Sequence, residues 1–199
     1  MTKDIFQYQP ILENERVLLR PIREDDFENL LPFSLNEPDI WKYGLITAAG
    51  EENLRNYING AVKNMKGKKE YVFIVFDKKA NRYAGSTRFY DIQQDYLATQ
   101  LGYTWYGKEF QRTGLNRHCK LLLLTYVFEE WGLERLEFRA HAGNEKSITA
   151  MKAIGCVEEG ILRSHMPTVD GSRRDSVVLS ILKKEWFDSV RELLKQKTR

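Results

Sequence analysis

A strand, a short loop and a helix follow one another in the middle of the chain, and this order most constrains its fold. Residues 96–106 are apolar and aromatic and predict a strand. Residues 119–131 are rich in helix formers and predict a helix. Between them lies the basic, glycine-containing loop 107–116. Because the first N–H groups of a helix lack partners and its dipole is positive there, this loop is a candidate anion site.

The loop carries residue types that suit a phosphate. Gly114 would let the backbone approach closely, Arg112 would add positive charge, and Thr113 would add a hydroxyl. A single glycine also fits an ordinary strand–helix turn, and the loop alone favours that simpler interpretation. The rest of the chain changes the balance.

The first half of the chain predicts two helices and a set of strands with short links. Acidic residues 24–26 predict the start of a helix that carries Phe27, Leu30 and Leu31, and Pro32 and Pro38 are expected to interrupt the segment after these residues. The remaining predictions are a strand at 15–22, irregular or short-helical structure at 36–49, a helix at 51–66, strands at 70–77 and 82–92, and turns at 78–81 and 93–95. The last of these turns leads into strand 96–106. Three successive strands with short connections favour an antiparallel meander.

The second half predicts a strand, a capped helix and a final hairpin. Residues 135–141 alternate and predict a strand. Asn144 is a good N-cap for a helix that reaches Ile154 and ends at Gly155. A hairpin of 156–168 and 173–182 around the turn 169–172 comes next, and then a helix at 185–195. We therefore predict a single α+β domain over residues 1–199, with a mostly antiparallel sheet, a strand–helix–strand unit near its centre and flanking helices.

Composition excludes several classes of protein. The chain has 31 lysines and arginines against 28 aspartates and glutamates, so its net charge of +3 does not predict direct nucleic-acid binding. Cys119 and Cys156 lack metal-ligand spacing, and we expect two buried thiols, no metal site and a reducing compartment. The N-terminal residues lack a signal-peptide pattern and no apolar run would span a bilayer, so we expect a cytoplasmic protein without a membrane segment.

Several ordered motifs resemble one family. They are Arg16–Pro21 followed by Asp25–Asp26, the loop Gln111–Asn116, Leu133–Leu136, Asn144-x-x-Ser147-x-x-Ala150, the run Ile154–Arg163 that contains Glu159-Gly160, and Arg174-Asp175 with Ser180. Together, over about residues 16–190, they resemble the GCN5-related N-acetyltransferase (GNAT) superfamily. The subgroup that they resemble most contains the bacterial ribosomal-protein acetyltransferases of the RimJ and RimL type.

The resemblance implies a GNAT fold, acetyl-CoA as cofactor, and a role for several residues. The loop would hold the pyrophosphate through the backbone of Gln111, Arg112, Thr113, Gly114, Leu115 and Asn116. Backbone N–H groups of Tyr103, Thr104 and Trp105 would polarise the thioester carbonyl, next to a bulge that Gly102 permits. Asn144 would bind the pantetheine arm, and Ser147 would protonate the leaving thiolate.

The sequence departs from the family pattern at two positions. Asn116 stands where a small residue is commoner, and Met166 stands where RimL-like proteins carry a glutamate. Because methionine cannot accept a proton, its neighbour His165 becomes the candidate general base. The other candidates are Glu137 and Asp175, with His118 and His141 as further histidines. Trp41, Tyr43, Phe89 and Tyr90 are candidates for the acceptor entrance, although each also suits a core position.

Three function classes remain open on these grounds. The leading prediction is an acetyl-CoA-dependent N-acetyltransferase that acts by direct attack, with a protein or peptide N-terminal amine as acceptor, or else a small-molecule amine such as a polyamine, amino acid or drug. The competing class is a non-catalytic acyl-CoA sensor or scaffold, which the residues Asn116 and Met166 motivate. A nucleotide-phosphate binder is a poorer fit because the chain has no Walker or dinucleotide motif. A monomer and a homodimer are equally open.

Overall fold

A single twisted sheet runs through the molecule in the computed structural model, which describes residues 4–168 and 171–199. Its strands are β1 Leu12–Glu13, β2 Val17–Pro21, β3 Glu70–Asp77, β4 Arg82–Gln93, β5 Ala98–Tyr106, β6 Arg135–His141, β7 Val157–Pro167 and β8 Arg173–Leu182. Within the described ranges these 8 strands lie side by side in the order β1-β2-β3-β4-β5-β6-β8-β7.

Helices flank this sheet. They are α1 Ile5–Tyr8, α2 Phe27–Asn36, α3 Glu51–Lys66, α4 Leu115–Thr125, α5 Glu145–Ala153, α6 Lys183–Glu185 and α7 Arg191–Lys197. The π-helical turn Tyr126–Trp131 extends α4, and a second one, Trp186–Val190, joins α6 to α7. Short 3-10 turns precede α2 and flank β5, and another, Pro38–Trp41, comes after α2. None of the helices in the described ranges is long and apolar enough to cross a membrane.

Every strand pairs antiparallel with its neighbour except β5 and β6, which are parallel. Parallel strands need a long crossover, and here α4 supplies it. The predicted α+β class, the β3-β4-β5 meander and the central strand–helix–strand unit are thus confirmed.

Successive side chains of β4 point to opposite faces, and each face meets a different helix. On one face Ser86 accepts a hydrogen bond from the Tyr57 hydroxyl of α3 at 3.0 Å. On the other face Phe89 packs edge-on against Trp131, which ends the π-helical extension of α4, with 5.6 Å between ring centres. The sheet is therefore a central layer with helices on both sides.

Two local predictions are wrong, and a third falls partly on residues that the structure does not describe. Pro32 does not interrupt the first helix, because α2 runs through it to Asn36. Tyr96 is not part of the strand, since it lies in a 3-10 turn and is 78% exposed. The hairpin β7–β8 is present, but half of its predicted turn 169–172 lies outside the described residues.

Candidate active site

The two parallel strands separate soon after they meet. β5 and β6 are paired over three positions, from Ala98 with Arg135 to Gln100 with Glu137. Beyond Gln100, no strand in the described ranges pairs with β5 on this side. The space between the diverging strands is the start of a large cleft.

A β-bulge in β5 explains the divergence. Ser86 pairs with Trp105 and Arg88 with Gly102, so two residues of β5 face Thr87 alone. The bulged residue is Tyr103, which has a φ of 49°. An extra residue bends the strand and raises its twist. Gly102 next to it has another role, since a Cβ at Gly102 would lie 2.9 Å from the Tyr90 ring.

The cleft has a volume of about 960 Å³ and runs from the N-terminus of α4 to the β7–β8 hairpin. Most of the predicted site residues line it: Tyr103, Thr104, Trp105, Gln111, Arg112, Asn116, Asn144, Ser147 and His165. Thr113, Gly114 and Leu115 do not line it with their side chains. Leu115 is fully buried, and the Thr113 hydroxyl donates to the Phe110 carbonyl at 2.8 Å.

The start of α4 offers backbone donors. Gly114 is the N-cap residue, in the left-handed region with φ 89° and ψ −17°, and a Cβ there would meet no atom within 4 Å. Among the described residues nothing accepts a hydrogen bond from the backbone N–H of Arg112, Thr113, Gly114 or Asn116. These donors and the positive end of the helix dipole suit an anion.

The unusual residue Asn116 supports the loop from inside. Its Oδ1 accepts a hydrogen bond from the Tyr106 hydroxyl at 3.1 Å. Gln111 Nε2 donates to the Tyr106 carbonyl at 3.0 Å. Both side chains therefore tie the loop to the end of β5. An amide oxygen at position 116 has a structural use that a glycine or alanine would not provide.

Lys120 is a cleft residue that was not predicted from the sequence. It lies on α4, is 5% exposed, and places its Nζ 5.4 Å from the ring centre of Phe138. No described residue forms an ion pair or side-chain hydrogen bond with it. Burial lowers the pKa of Lys120 to about 8. A lysine inside a leucine-rich helix gave no sign in the sequence that it faces the cleft.

The start of α5 borders the middle of the cleft. Asn144 is the N-cap residue, and its Oδ1 accepts from the Ser147 backbone N–H at 3.2 Å. The predicted N-cap is thus confirmed. Asn144 and Ser147 are neighbours on one wall, which is compatible with the cofactor and proton-donor roles that were predicted for them.

His165 lies at the hairpin end of the cleft in a hydrogen-bond network. Its Nδ1 is 3.1 Å from Ser176 Oγ, and its Nε2 is 3.2 Å from Arg139 Nη1. Because a guanidinium only donates, Nε2 accepts and Nδ1 carries the proton. Burial, together with nearby Arg139 and Arg174, lowers the pKa of His165 below its ordinary value. The ring is therefore neutral at pH 7, and Arg139 faces its lone pair.

The alternative bases are engaged elsewhere. Glu137 accepts from Arg135 Nη2 at 3.0 Å and from Arg139 Nε at 2.7 Å. Asp175 accepts from the Ser164 backbone N–H at 2.7 Å, in a bulge of β7. Neither carboxylate lines the cleft.

The two other histidines differ in position. His118 does not line the cleft: its Nδ1 lies 3.4 Å from Glu15 Oε1 and 3.3 Å from Asn14 Nδ2. Burial lowers its pKa. His141 does line the cleft. Its Nδ1, however, accepts a hydrogen bond from the Gly143 backbone N–H at 2.9 Å, and its ring packs on the ring of Tyr43 with 5.3 Å between ring centres.

Three of the four predicted entrance residues line the cleft, namely Trp41, Tyr43 and Tyr90. Trp41 packs edge-on against Trp105 at 5.0 Å. Phe89 is fully buried on the other face of β4 and is a core residue. Arg174, on β8, also lines this end of the cleft, a position that its place in the Arg174-Asp175 motif did not predict.

Comparison with known proteins agrees with this architecture. The acetyltransferase (GNAT) domain family matches residues 16–157. A crystal structure of a GCN5-related N-acetyltransferase from Brucella melitensis superposes with a TM-score of 0.86, at 24% identity, over 94% of this chain and 85% of that one. At this identity the likeness shows the fold.

Two curated relatives come from Bacillus subtilis (strain 168). "Putative ribosomal N-acetyltransferase YdaF" is 37% identical over 102 residues, which are 51% of this chain and 55% of YdaF. "Uncharacterized N-acetyltransferase YoaA" is 26% identical over 174 residues, 87% of this chain and 97% of YoaA. The alignment with YdaF thus spans only about half of each protein.

The cleft, the bulge and the family match define the class of protein. The chain belongs to the GNAT family of acetyltransferases. The resemblance noted from its motifs is confirmed at that level.

Proposed function

We propose that this protein is an acetyl-CoA-dependent N-acetyltransferase that acts by direct attack of an amine in a ternary complex. The observation that carries the proposal is the continuous cleft between β5 and β6. One end meets the open N–H groups of α4, and the other meets the network around His165. A donor and an acceptor would thus meet inside one cavity.

The residues of the cleft fit coenzyme A. The backbone N–H groups at the start of α4, with Arg112, would hold its pyrophosphate. Lys120 is a buried cation without an anionic partner in the described chain, on the same wall. Asn144 would bind the pantetheine arm, and the β5 backbone from Tyr103 to Trp105 would face the carbonyl. When bound, acetyl-CoA supplies an acetyl group activated as a thioester.

The transfer forms an amide C–N bond, breaks the thioester C–S bond and moves one proton from the amine and one to the thiolate. We assign the first proton to His165, directly or through a water, because its ring is neutral and borders the cleft. We assign the second to the Ser147 hydroxyl. The aromatic wall of Trp41, Tyr43 and Tyr90 would exclude water from the acceptor side.

The acceptor that we favour is a protein or peptide N-terminal amine. The name of YdaF, "Putative ribosomal N-acetyltransferase", supports this choice, and so does the motif likeness to the RimJ and RimL subgroup. A small-molecule amine is the second candidate, since the cleft is a cavity of about 960 Å³ rather than a flat surface. A cytoplasmic location and a monomeric or dimeric state stay predictions.

A non-catalytic acyl-CoA sensor is the competing function. One observation favours it: Arg139 faces Nε2 of His165 and engages the lone pair that a base needs. An enzyme would have to exchange this hydrogen bond for one to the amine or a water.

Thiol release from acetyl-CoA, measured across N-terminal peptides, polyamines and amino acids, separates the two functions. We expect turnover with at least one amine class and loss of turnover in His165→Gln, with unchanged thermal stabilisation by acetyl-CoA. Stabilisation without turnover across the panel would favour the sensor. If acetyl-CoA gives no stabilisation, the cofactor assignment is wrong.

A further inference from the structure

Two arginines in the described part of the chain are more than nine-tenths buried, and they differ in one respect. Arg88 is 3% exposed and pairs with Glu70 at 2.7 Å. Arg174 is 5% exposed and has no carboxylate partner among the described residues. The titratable groups near its charge are the phenols of Tyr90 and Tyr103 and the cation Arg139, and none of them is an anion at pH 7. A buried cation is ordinarily paired, so the missing anion needs an explanation.

Two hydrogen bonds hold the guanidinium of Arg174 in place, and one of its nitrogens is left without an acceptor. Its Nε donates to Ser176 Oγ at 3.1 Å, and its Nη1 donates to the Tyr43 carbonyl at 3.2 Å. Nη2 has no acceptor among the described residues, and it is not fully buried. Arg174 therefore presents a fixed, open donor to the cleft that it lines.

The nearby carboxylates are committed to other groups. Glu137 is held between two arginines, and Asp175 is held by a backbone N–H. Asp91 accepts from Gln100 Nε2 at 2.7 Å. Directly across the strand pair from Arg174 stands Met166, an apolar side chain that also lines the cleft. The described chain thus leaves the charge of Arg174 without an anion of its own.

We infer that the acceptor amine carries a carboxylate close to its amino group, and that Arg174 binds this carboxylate. The inference rests on the proposed acetyl transfer and narrows its acceptor class. The anion could belong to a free α-amino acid or to an acidic side chain next to a peptide N-terminus. A guanidinium is the side chain best suited to a carboxylate, and a wall with two arginines disfavours a polybasic acceptor.

Matched pairs of amines test the inference on the wild-type protein. One arm compares free amino acids with their carboxamides. The other compares C-terminally amidated peptides that have Asp or Glu at the second position with those that have Asn or Gln. Thiol release gives kcat/KM, and calorimetric titration into the coenzyme A-loaded protein gives acceptor binding without turnover. We expect at least one arm to favour the acid over its amide by about 10-fold to 100-fold, the range of one charge-assisted hydrogen bond.

Two substitutions assign the preference to Arg174. Arg174→Gln should lose the preference through a rise in KM that is larger for the acid than for the amide. Met166→Glu leaves Arg174 in place and provides a carboxylate across the strand pair, so it should also abolish the preference. Arg163→Gln is the control, because Arg163 is exposed on β7 and does not line the cleft.

The outcomes are distinct. If amides bind and react as well as acids in both arms, the inference is overturned while acetyl transfer stands. If an acid binds the loaded protein but nothing is acetylated, the carboxylate site stands and the proposed function fails. An acid preference that survives in both Arg174→Gln and Met166→Glu would also overturn the inference.

Discussion

Lys120 lies on the second turn of α4 with its ammonium above the ring of Phe138 and no anion beside it in the described structure. Burial lowers its pKa from an ordinary value of 10.5 to about 8. Below pH 8 the charged form therefore costs about 3 kcal/mol of folding free energy. A buried charge with a strongly shifted pKa in a cleft marks a candidate ligand-binding group.

We expect Lys120→Met to raise the free energy of unfolding at pH 7 by up to about 3 kcal/mol. Between pH 8 and 10.5 the unfolded wild-type chain binds a proton that the folded chain has lost, so wild-type stability rises with pH. The advantage of the variant should shrink across that window. Urea unfolding at several pH values measures it, with the exposed Lys63→Met as control. A pH-independent difference would contradict the buried-charge account.

His165 and Arg139 together set a second pH dependence. If His165 is the base, its lowered pKa keeps kcat/KM on its plateau to below pH 6.5. Arg139→Gln removes the facing cation, so the pKa of His165 should rise and the acidic limb should move to higher pH. His165→Gln should lower kcat by about 100-fold or more. Profiles of kcat/KM between pH 5 and 8 test both variants. If the acidic limb does not move in Arg139→Gln, the limb belongs to a group other than His165.

At the scale of elements, the loop before α4 depends on Gly114. In Gly114→Ala the new methyl group would meet no protein atom within 4 Å, so its cost to folding is backbone strain of about 1–2 kcal/mol. The methyl group would, however, stand where an anion approaches the helix. We expect coenzyme A to bind at least about tenfold more weakly.

Gly50 provides a control for this prediction at which the backbone strain of an alanine is at least as large. It is the N-cap residue of α3 with φ 84° and ψ 154°, a region that is essentially restricted to glycine, and a Cβ there would also meet nothing within 4 Å. It does not line the cleft. Gly50→Ala should lose stability and keep its affinity for coenzyme A. Equal loss of affinity in both variants would mean that strain, not access to the anion site, controls binding.

The elements that the sequence predicted well are those with strong local signals. The bounds of α3, β3 and β6 are those expected, because their periodicity and flanking turns agree. The prediction that Pro32 interrupts the helix was wrong, because a helix can tolerate a proline where tertiary packing compensates for the lost hydrogen bond. The proline and Glu28, whose carbonyl loses its helical partner, are both exposed, while Leu30 and Phe33 are buried on the other side. Water can satisfy the freed carbonyl, and the packing outweighs the lost hydrogen bond.

The sequence predicted the parts of the candidate site that depend on local motifs. It did not predict the parts that depend on contacts between residues far apart in the chain. The loop before α4 and the N-cap Asn144 follow from glycine and asparagine patterns. The bulge in β5 was expected from the family resemblance, but its bulged residue is Tyr103 and not Gly102. Lys120 and Arg174 do not follow from such patterns, because an unpaired buried charge is a property of everything around it. The engagement of His165 by Arg139 is of the same kind, since β6 and the bulge of β7 bring these residues together.

At the scale of the whole molecule, the site lies where the pairing between two central strands of the sheet is short. Three residue pairs of the parallel ladder join β5 to β6 within the sheet. Outside the sheet, α4 and the contacts of Tyr43 with Arg174 and His141 also connect the β1–β5 part to the β6–β8 part. A ligand that spans the cleft would bridge the two parts and add contacts that the free protein lacks. Ligand binding to the folded state alone raises stability by RT ln(1 + [L]/Kd).

We therefore expect coenzyme A at about 100 times its Kd to add about 2.7 kcal/mol, which for a chain of this size raises Tm by about 5–10 °C. Pantetheine, which lacks the pyrophosphate, should give a much smaller shift at the same concentration. Hydrogen exchange should slow on both walls, in β5 after Gln100 and in β6 after Glu137. Equal shifts from both ligands would remove the anion role of α4. Protection confined to one wall would show that the ligand does not bridge the sheet, and the gain in Tm would then have to come from α4 and its loop alone.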